Sequence, residues 1–343
     1  NDKESKETGT MPTETDMIQN TIHDTSENCL SRDNTIATWV TNPYLGAATS
    51  DNTRKAYRND IRHYENWGGQ LPATPESIVN YLQAFALSKN SRTLERRLIA
   101  LRHWHTYQAF PDPTAHPIVK KTMTGITRIH GKPRTKSSAL LPDDLQKMVQ
   151  ALLKDPSLLS IRDNAILQIG FFGALRRSEI IHMRYEHLIW QKEGVEILIP
   201  FSKTDQMHQG QYCAIPYGNN LLCPVKALEN WLTQSSIKEG AIFRRILNNT
   251  VADSSLTPLS INHIIKRNAR LANLSNIATI TPHSLRRGLA TSAARAKASV
   301  QTIMRAGRWK QVNTVMEYIE ANARLEESAA KDVLNQINKS EPV

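Results

Sequence analysis

The sequence predicts a two-domain, mainly α fold, in which a helical N-terminal domain precedes an α+β domain with a small antiparallel sheet. Three observations predict it. The 343 residues are enough for two hydrophobic cores. From residue 34 to 129 apolar side chains recur at three- and four-residue spacing, the period of a helix with one buried face. The clear β signal is confined to three short runs, 187–191, 195–201 and 211–215.

Charge is spread unevenly. Residues 1–50 hold three Lys/Arg against eight Asp/Glu, residues 51–137 fifteen against six, and residues 138–343 twenty-five against eighteen, so the net +11 is carried by the part expected to fold. Such a field selects polyanionic partners. No apolar run reaches the ~20 residues of a membrane-spanning helix, since the longest, 165–175, contains Gln168. The opening residues show no secretory pattern. Cys29, Cys213 and Cys223 are odd in number and lack metal-ligand spacing. Reduced thiols and a cytoplasmic location are therefore expected.

Residues 1–33 are acidic and polar, with few large apolar side chains, the composition of a disordered tail. The helical domain is expected over 34–129. Its first helix starts at Asp51-Asn-Thr and turns Tyr57, Ile61, Tyr64 and Trp67 to one face, with Arg54, Arg58 and Arg62 on a neighbouring one. The second begins near Pro75 and carries Ile78, Tyr81, Leu82 and Phe85; the third begins near Ser91 with Leu94, Leu98, Leu101 and Trp104. Arg92, Glu95, Arg96 and Arg102 form its polar face, with Arg97 beside it. Solvation accounts for any one of these arginines, but two arginine-rich faces on a small domain favour contact with DNA through Arg54, Arg58, Arg92, Arg96 and Arg97. His103 and His105 point to different helix faces, which speaks against a metal site. A short fourth helix over 116–129 precedes the basic, Gly/Pro/Ser-rich stretch 130–138, which reads as an interdomain linker whose Lys132, Arg134 and Lys136 track a DNA backbone.

The second domain is expected over 139–321. Leu141-Pro-Asp-Asp opens a helix with an acidic first turn, and a long apolar helix follows over 160–169. After the β runs, Cys223-Pro-Val starts a helix through Trp231, 242–245 reads as a short strand or turn, and 260–274 is an amphipathic helix exposing Lys266, Arg267 and Arg270. Beyond residue 321, Leu325, Ala329, Val333 and Ile337 repeat every four residues and make an apolar stripe in need of a docking surface.

Residues 281–318 concentrate four side chains suited to phosphoryl chemistry: His283, Arg286, Trp309 and Tyr318. A phosphodiester under attack needs its charge neutralised, a proton taken from the attacking oxygen and one given to the leaving oxygen. Arg286 offers a permanently charged fork, Trp309 an N–H that does not ionise, His283 a proton carrier and Tyr318 a nucleophile.

In order, Thr281-Pro-His283-Ser-Leu-Arg286, Ala306-Gly-Arg-Trp309 and Val315-Met-Glu-Tyr318 resemble the C-terminal signature of the tyrosine recombinases, the lambda-integrase family. Phe172-Gly-Ala-Leu-Arg176-Arg-Ser-Glu179 resembles that family's Thr-Gly-Leu-Arg-x-Ser-Glu box, with Ala174 in a usual Gly position. Ser202-Lys203-Thr204 matches the family's hairpin lysine. Trp309 stands where many members carry a second His, at the Cre-like end of the family. The resemblance implies a helical core-binding domain joined to a catalytic domain, with the catalytic set Arg176, Lys203, His283, Arg286, Trp309 and Tyr318. Glu179 then holds the site together rather than acting as a base.

By the same resemblance Tyr318 forms a 3′-phosphotyrosyl link, losing its proton to His283 or a phosphate oxygen, while Lys203 protonates the 5′ leaving oxygen. No metal, ATP or other cofactor is implied. The implied partners are double-stranded DNA with inverted-repeat half-sites and further copies of the chain, a dimer per site and a tetramer in synapsis, linked through the helix beyond residue 321. A type IB topoisomerase-like strand transferase and a non-catalytic DNA-binding protein on the same fold are the alternatives.

Overall fold

The computed structural model describes residues 49–133, 137–200, 210–219 and 221–326 and single positions between 330 and 336, apart from the side chains of 320–329. The tail at 1–33, Cys29, Arg134, Lys136 and Lys203 lie outside the described residues. Contacts divide the chain into two compact units, Asn1–Arg134 and Thr135–Val343.

In the first unit, α1 (Asp51–Asn66), α2 (Pro75–Phe85), α3 (Ser91–Tyr107) and α4 (Pro117–His130) follow one another. Each of the first three starts on a polar side chain that accepts an otherwise unpaired amide: Ser50 from Thr53, Thr74 from Ser77 and Asn90 from Arg92. Their apolar stripes meet around fully buried Tyr64, Ile78, Tyr81, Leu82 and Leu94. His105 belongs to this interior, with Nδ1 2.7 Å from the Leu101 carbonyl and Nε2 accepting the Ala73 amide at 2.9 Å.

Asp60 of α1 is only 3% exposed and ties that helix to α3. It accepts both arms of Arg96, Nε at 2.8 Å and Nη2 at 2.7 Å. Arg97, placed by the sequence beside the polar face, is instead buried, its Nε 3.6 Å from Asp60 and its guanidinium over the Phe85 ring. A buried carboxylate draws in any cation within reach, because either charge alone is costly there.

The second unit begins with α5 (Pro142–Leu152) and α6 (Leu158–Phe172). Every residue of α6 from Ala165 to Phe171 is buried, so this half of the helix shows no apolar stripe against a polar face. A five-residue helix, α7 (Arg177–Ile181), leads to the sheet. There β1 (Leu188–Gln191), β2 (Gly194–Ile199) and β3 (Gln211–Pro216) pair antiparallel in that order, with Trp190 opposite Val195 and Ile197 opposite Cys213. Cys213 and Cys223 are buried free thiols.

Next, α8 (Pro224–Ser235) packs along α6, and the Trp231 Nε1–H donates to the Ile242 carbonyl at 2.9 Å. The short strand or turn expected at 242–245 is the entry to a second hairpin, which starts after the wholly buried Ile242 and Phe243. It pairs β4 (Arg244–Leu247) with β5 (Thr250–Ser255) through Asn248 and Asn249, whose φ of 50° and 58° are those of a two-residue type I′ turn. In α9 (Pro258–Leu271), Arg267 turns back to Asp163 of α6, which also receives Arg162 at 2.8 Å and Asn268 at 2.9 Å. The unit closes with α10 (Pro282–Arg295), α11 (Val300–Gly307) and α12 (Val312–Glu326), which share a small core of Ala290, Ile303, Val315 and Tyr318. Among the described residues no helix is long and apolar enough to cross a membrane.

Candidate active site

Two turns and one helix bring the site together. After α6 the chain reverses through Gly173 and Ala174, and Ala174 takes a φ of 45°, the left-handed region that a glycine enters more readily. This turn delivers Arg176 to the N-cap of α7. Glu179, one turn on, accepts the Arg176 amide at 2.9 Å and its Nη1 at 2.6 Å. The Arg176 side chain remains 22% exposed while that of Glu179 is 1% exposed. The guanidinium is thus anchored from behind with part of its fork open to an anion.

From α10 comes Arg286, 1% exposed. Its Nη1 donates to the Ala174 carbonyl at 2.5 Å and its Nη2 to the Gly307 carbonyl, which joins the turn after α6 to the turn after α11. The guanidinium carbon lies 4.2 Å from the centre of the Trp309 ring. Gly307 has no room for a Cβ, because the Trp309 ring lies against it. Trp309 in turn sits 5.7 Å from the Tyr318 ring, and Arg287 covers that ring with its guanidinium carbon 5.3 Å from the centroid. Tyr318 itself is 5% exposed.

The electrostatics favour an incoming anion. Burial, and then the neighbouring Arg176 charge, pull the Arg286 guanidinium down to about 9, so a phosphate beside it would restore its hold on the proton. Burial raises the Glu179 carboxyl, yet Arg308 and the Arg176 amide and side chain outweigh it and hold the group below the ordinary carboxylate value. Glu179 is the one carboxylate that the described hydrogen bonds bring to Arg176 and Arg308.

Of the residues singled out in the sequence, Arg176, Glu179, Arg286, Trp309 and Tyr318 are assembled here. His283 is the exposed residue on the otherwise buried first turn of α10, three residues before Arg286 and so on an adjoining part of the same face.

Comparison with known proteins agrees over most of the chain. A model of the phage integrase family matches residues 138–324, and one of the phage integrase N-terminal SAM-like domain matches residues 44–109. The chain belongs to the phage integrase family. It is a tyrosine recombinase, of the class of enzymes that transfer DNA strands. The integrase/recombinase xerD homolog of Selenomonas ruminantium is 35% identical over 302 residues, covering 85% of this chain and 88% of that protein. Recombinase cre of Escherichia phage P1 is 26% identical over 298 residues, covering 79% and 84%. Among solved structures, XerH recombinase in a post-cleavage complex with palindromic difH substrate aligns with a TM-score of 0.59 at 16% identity, over 81% of this chain and 78% of that one. A lambda integrase dimer on a COC′ core site aligns at 0.55 with 17% identity, over 80% and 91%.

On the first unit of this recombinase, Arg92 and Lys132 are exposed and Arg58 is half-buried. Arg54 donates to the Thr49 carbonyl at 3.0 Å and pairs with Asp51. Arg96 keeps 52% of its side chain exposed despite its bond to Asp60, whereas Arg97 keeps 8%. Arg308 and Arg287, which the fold places beside Glu179 and Tyr318, carry no special weight in the sequence pattern. A charged residue directly between Gly307 and Trp309 was the available signal for the first.

Proposed function

We propose that this recombinase cleaves and rejoins duplex DNA through a 3′-phosphotyrosyl intermediate on Tyr318, with arginines in place of metal ions and without ATP. The phenolic oxygen of Tyr318 forms a bond to phosphorus as the bond to the 5′ oxygen breaks. A phenol, with an ordinary pKa of ~10, is a weak nucleophile until its proton leaves to His283 or to a phosphate oxygen. The departing 5′ oxygen receives a proton from Lys203. Arg176 and Arg286 neutralise the non-bridging oxygens. Because the phosphate stays covalently bound, a second 5′-hydroxyl reseals the strand by the reverse step.

The observation that carries this reading is the continuous line Arg286, Trp309, Tyr318, in which a buried cation and the candidate nucleophile share one aromatic wall. The DNA partner is read as paired, inverted half-sites gripped by the exposed cations of the first unit, Arg92, Arg96 and Lys132, with one protomer on each half-site and four in synapsis.

The deciding experiment uses a nicked half-site that loses its short 5′ fragment after cleavage and so traps the adduct. The chain is expected to migrate covalently with the DNA, and Tyr318→Phe to bind the same DNA without forming adduct. An adduct that persists in Tyr318→Phe would remove the nucleophile assignment, and a wild-type chain that binds without forming one would favour a non-catalytic DNA-binding protein.

A further inference from the structure

Arg308 is held more firmly than a residue between two motif positions requires. It caps α11 in the left-handed conformation, φ 56° and ψ 41°, which a side chain adopts at a cost. Its side chain is 5% exposed, in surroundings where a charge is unfavourable without partners. The partners are specific: Nη2 donates to Glu179 Oε2 at 2.9 Å, and Nη1 to the carbonyls of Gly173 at 3.1 Å and Ala306 at 3.2 Å. A disfavoured backbone and a buried charge coincide at one residue, and both are directed at Glu179 and at the turn that sets Arg176.

We propose that Arg308 is a positioning residue for strand cleavage, offsetting the Glu179 carboxylate so that Arg176 keeps its charge for the scissile phosphate, while fixing the turn that presents Trp309. Glu179 has two oxygens and divides them: Oε1 meets the Arg176 guanidinium, and Oε2 meets the Arg176 amide and Arg308. Without Arg308 the carboxylate would be answered by Arg176 alone, a neutral pair with less attraction for a phosphate. With Arg308 in place, the guanidinium groups of Arg176, Arg286 and Arg308 stand against one carboxylate. The second part follows from position, since Trp309 is the next residue and its ring forms the wall for both Arg286 and Tyr318.

This inference rests on the phosphotyrosyl reading, and its test separates the two. Single-turnover adduct formation would be measured for the wild type, Arg308→Gly, Arg308→Lys and Arg308→Gly combined with Glu179→Gln. Each would be given a nicked substrate with an ordinary scissile phosphodiester and one with a methylphosphonate, which lacks the negative charge. Glycine suits the left-handed backbone, and half-site binding reports that the fold is kept. Arg308→Gly is expected to slow cleavage of the phosphodiester on the order of 10²-fold, as misplacement of a reacting group does, with half-site affinity unchanged. The defect should shrink on methylphosphonate and be partly relieved by Glu179→Gln, with Arg308→Lys falling between. Should Arg308→Gly not fold, Arg308→Lys carries the same comparison between substrates. Equal defects on both substrates with no relief from Glu179→Gln would reduce Arg308 to a structural residue, as would an unchanged rate. A wild-type chain without adduct would overturn the phosphotyrosyl reading and this inference together.

Discussion

Arg286 faces the Trp309 ring rather than its edge, with the guanidinium carbon 4.2 Å from the ring centre. The sequence suggested an indole N–H donor, and the geometry offers a π face as well. Cation–π attraction contributes ~0.5–2 kcal/mol according to how dry the site is. Trp309→Phe, which keeps a face, is expected to retain most of the adduct-forming rate, and Trp309→Leu to lose more of it, by a factor of up to roughly 30 on the same figures. Equal losses in the two variants would identify the indole N–H as the working group.

Asp60 makes a second prediction, about stability. Removing its carboxylate strands Arg97 in the interior, and breaking a buried pair from one side costs about 3–5 kcal/mol. Arg96 is half exposed, so its loss should cost well under that. Urea denaturation of Asp60→Ala and Arg96→Ala should therefore separate them clearly. Similar midpoints would mean that Arg97 finds another partner.

The pH dependence of Glu179 has a definite sign. Its carboxyl is held below the ordinary 4.5 in the folded chain, so it contributes stability above the unfolded value, and that stability is lost as pH falls through the folded value. The melting temperature of Glu179→Gln should lie furthest below wild type near neutral pH, and the gap should close on acidification past the carboxylate range. A gap that stays constant with pH would mean that the lost contribution is packing, not charge.

A fourth prediction concerns the chain beyond Tyr318. Val333 and Leu334 are 54% and 57% exposed in the single chain, which fits an apolar stripe whose partner is another protomer. Ending the chain at Asn322 is expected to leave binding to one half-site intact while cooperative filling of paired half-sites and recombination are lost. Gel-shift titrations on single and paired sites measure both, and unchanged cooperativity would assign assembly to another surface.

Helices were the most legible part of this sequence, because both their stripes and their caps are local. Pro75 after Thr74 and Pro142 followed by two aspartates announce helix starts, and the apolar faces of α1 to α3 followed from spacing alone. The β4–β5 hairpin was less visible, since its strands carry Arg244, Arg245, Asp253 and Ser254 rather than β-branched runs; Asn248-Asn249 was the signal to weigh. Local residues also could not place Arg97 or Arg308, whose burial is decided by Asp60 and by the turn at Gly173, 37 and 135 positions away. The motif residues were legible as types in order, while the bonds that tie Arg286 and Arg308 to the turns around them run to backbone carbonyls, which no side-chain pattern records.

That backbone wiring affects how the protein tolerates change. Gly173 and Ala174 present consecutive carbonyls, one to Arg308 and the other to Arg286. A carbonyl oxygen is common to all twenty amino acids, so no substitution at 173 or 174 deletes an acceptor. What a substitution alters is the pair of torsion angles that aims the acceptors, and at Ala174 the angle already lies where side chains are unwelcome. Inheritance at this turn therefore acts on direction rather than on chemistry: a β-branched residue there would leave every functional group in the site present and point two arginines the wrong way.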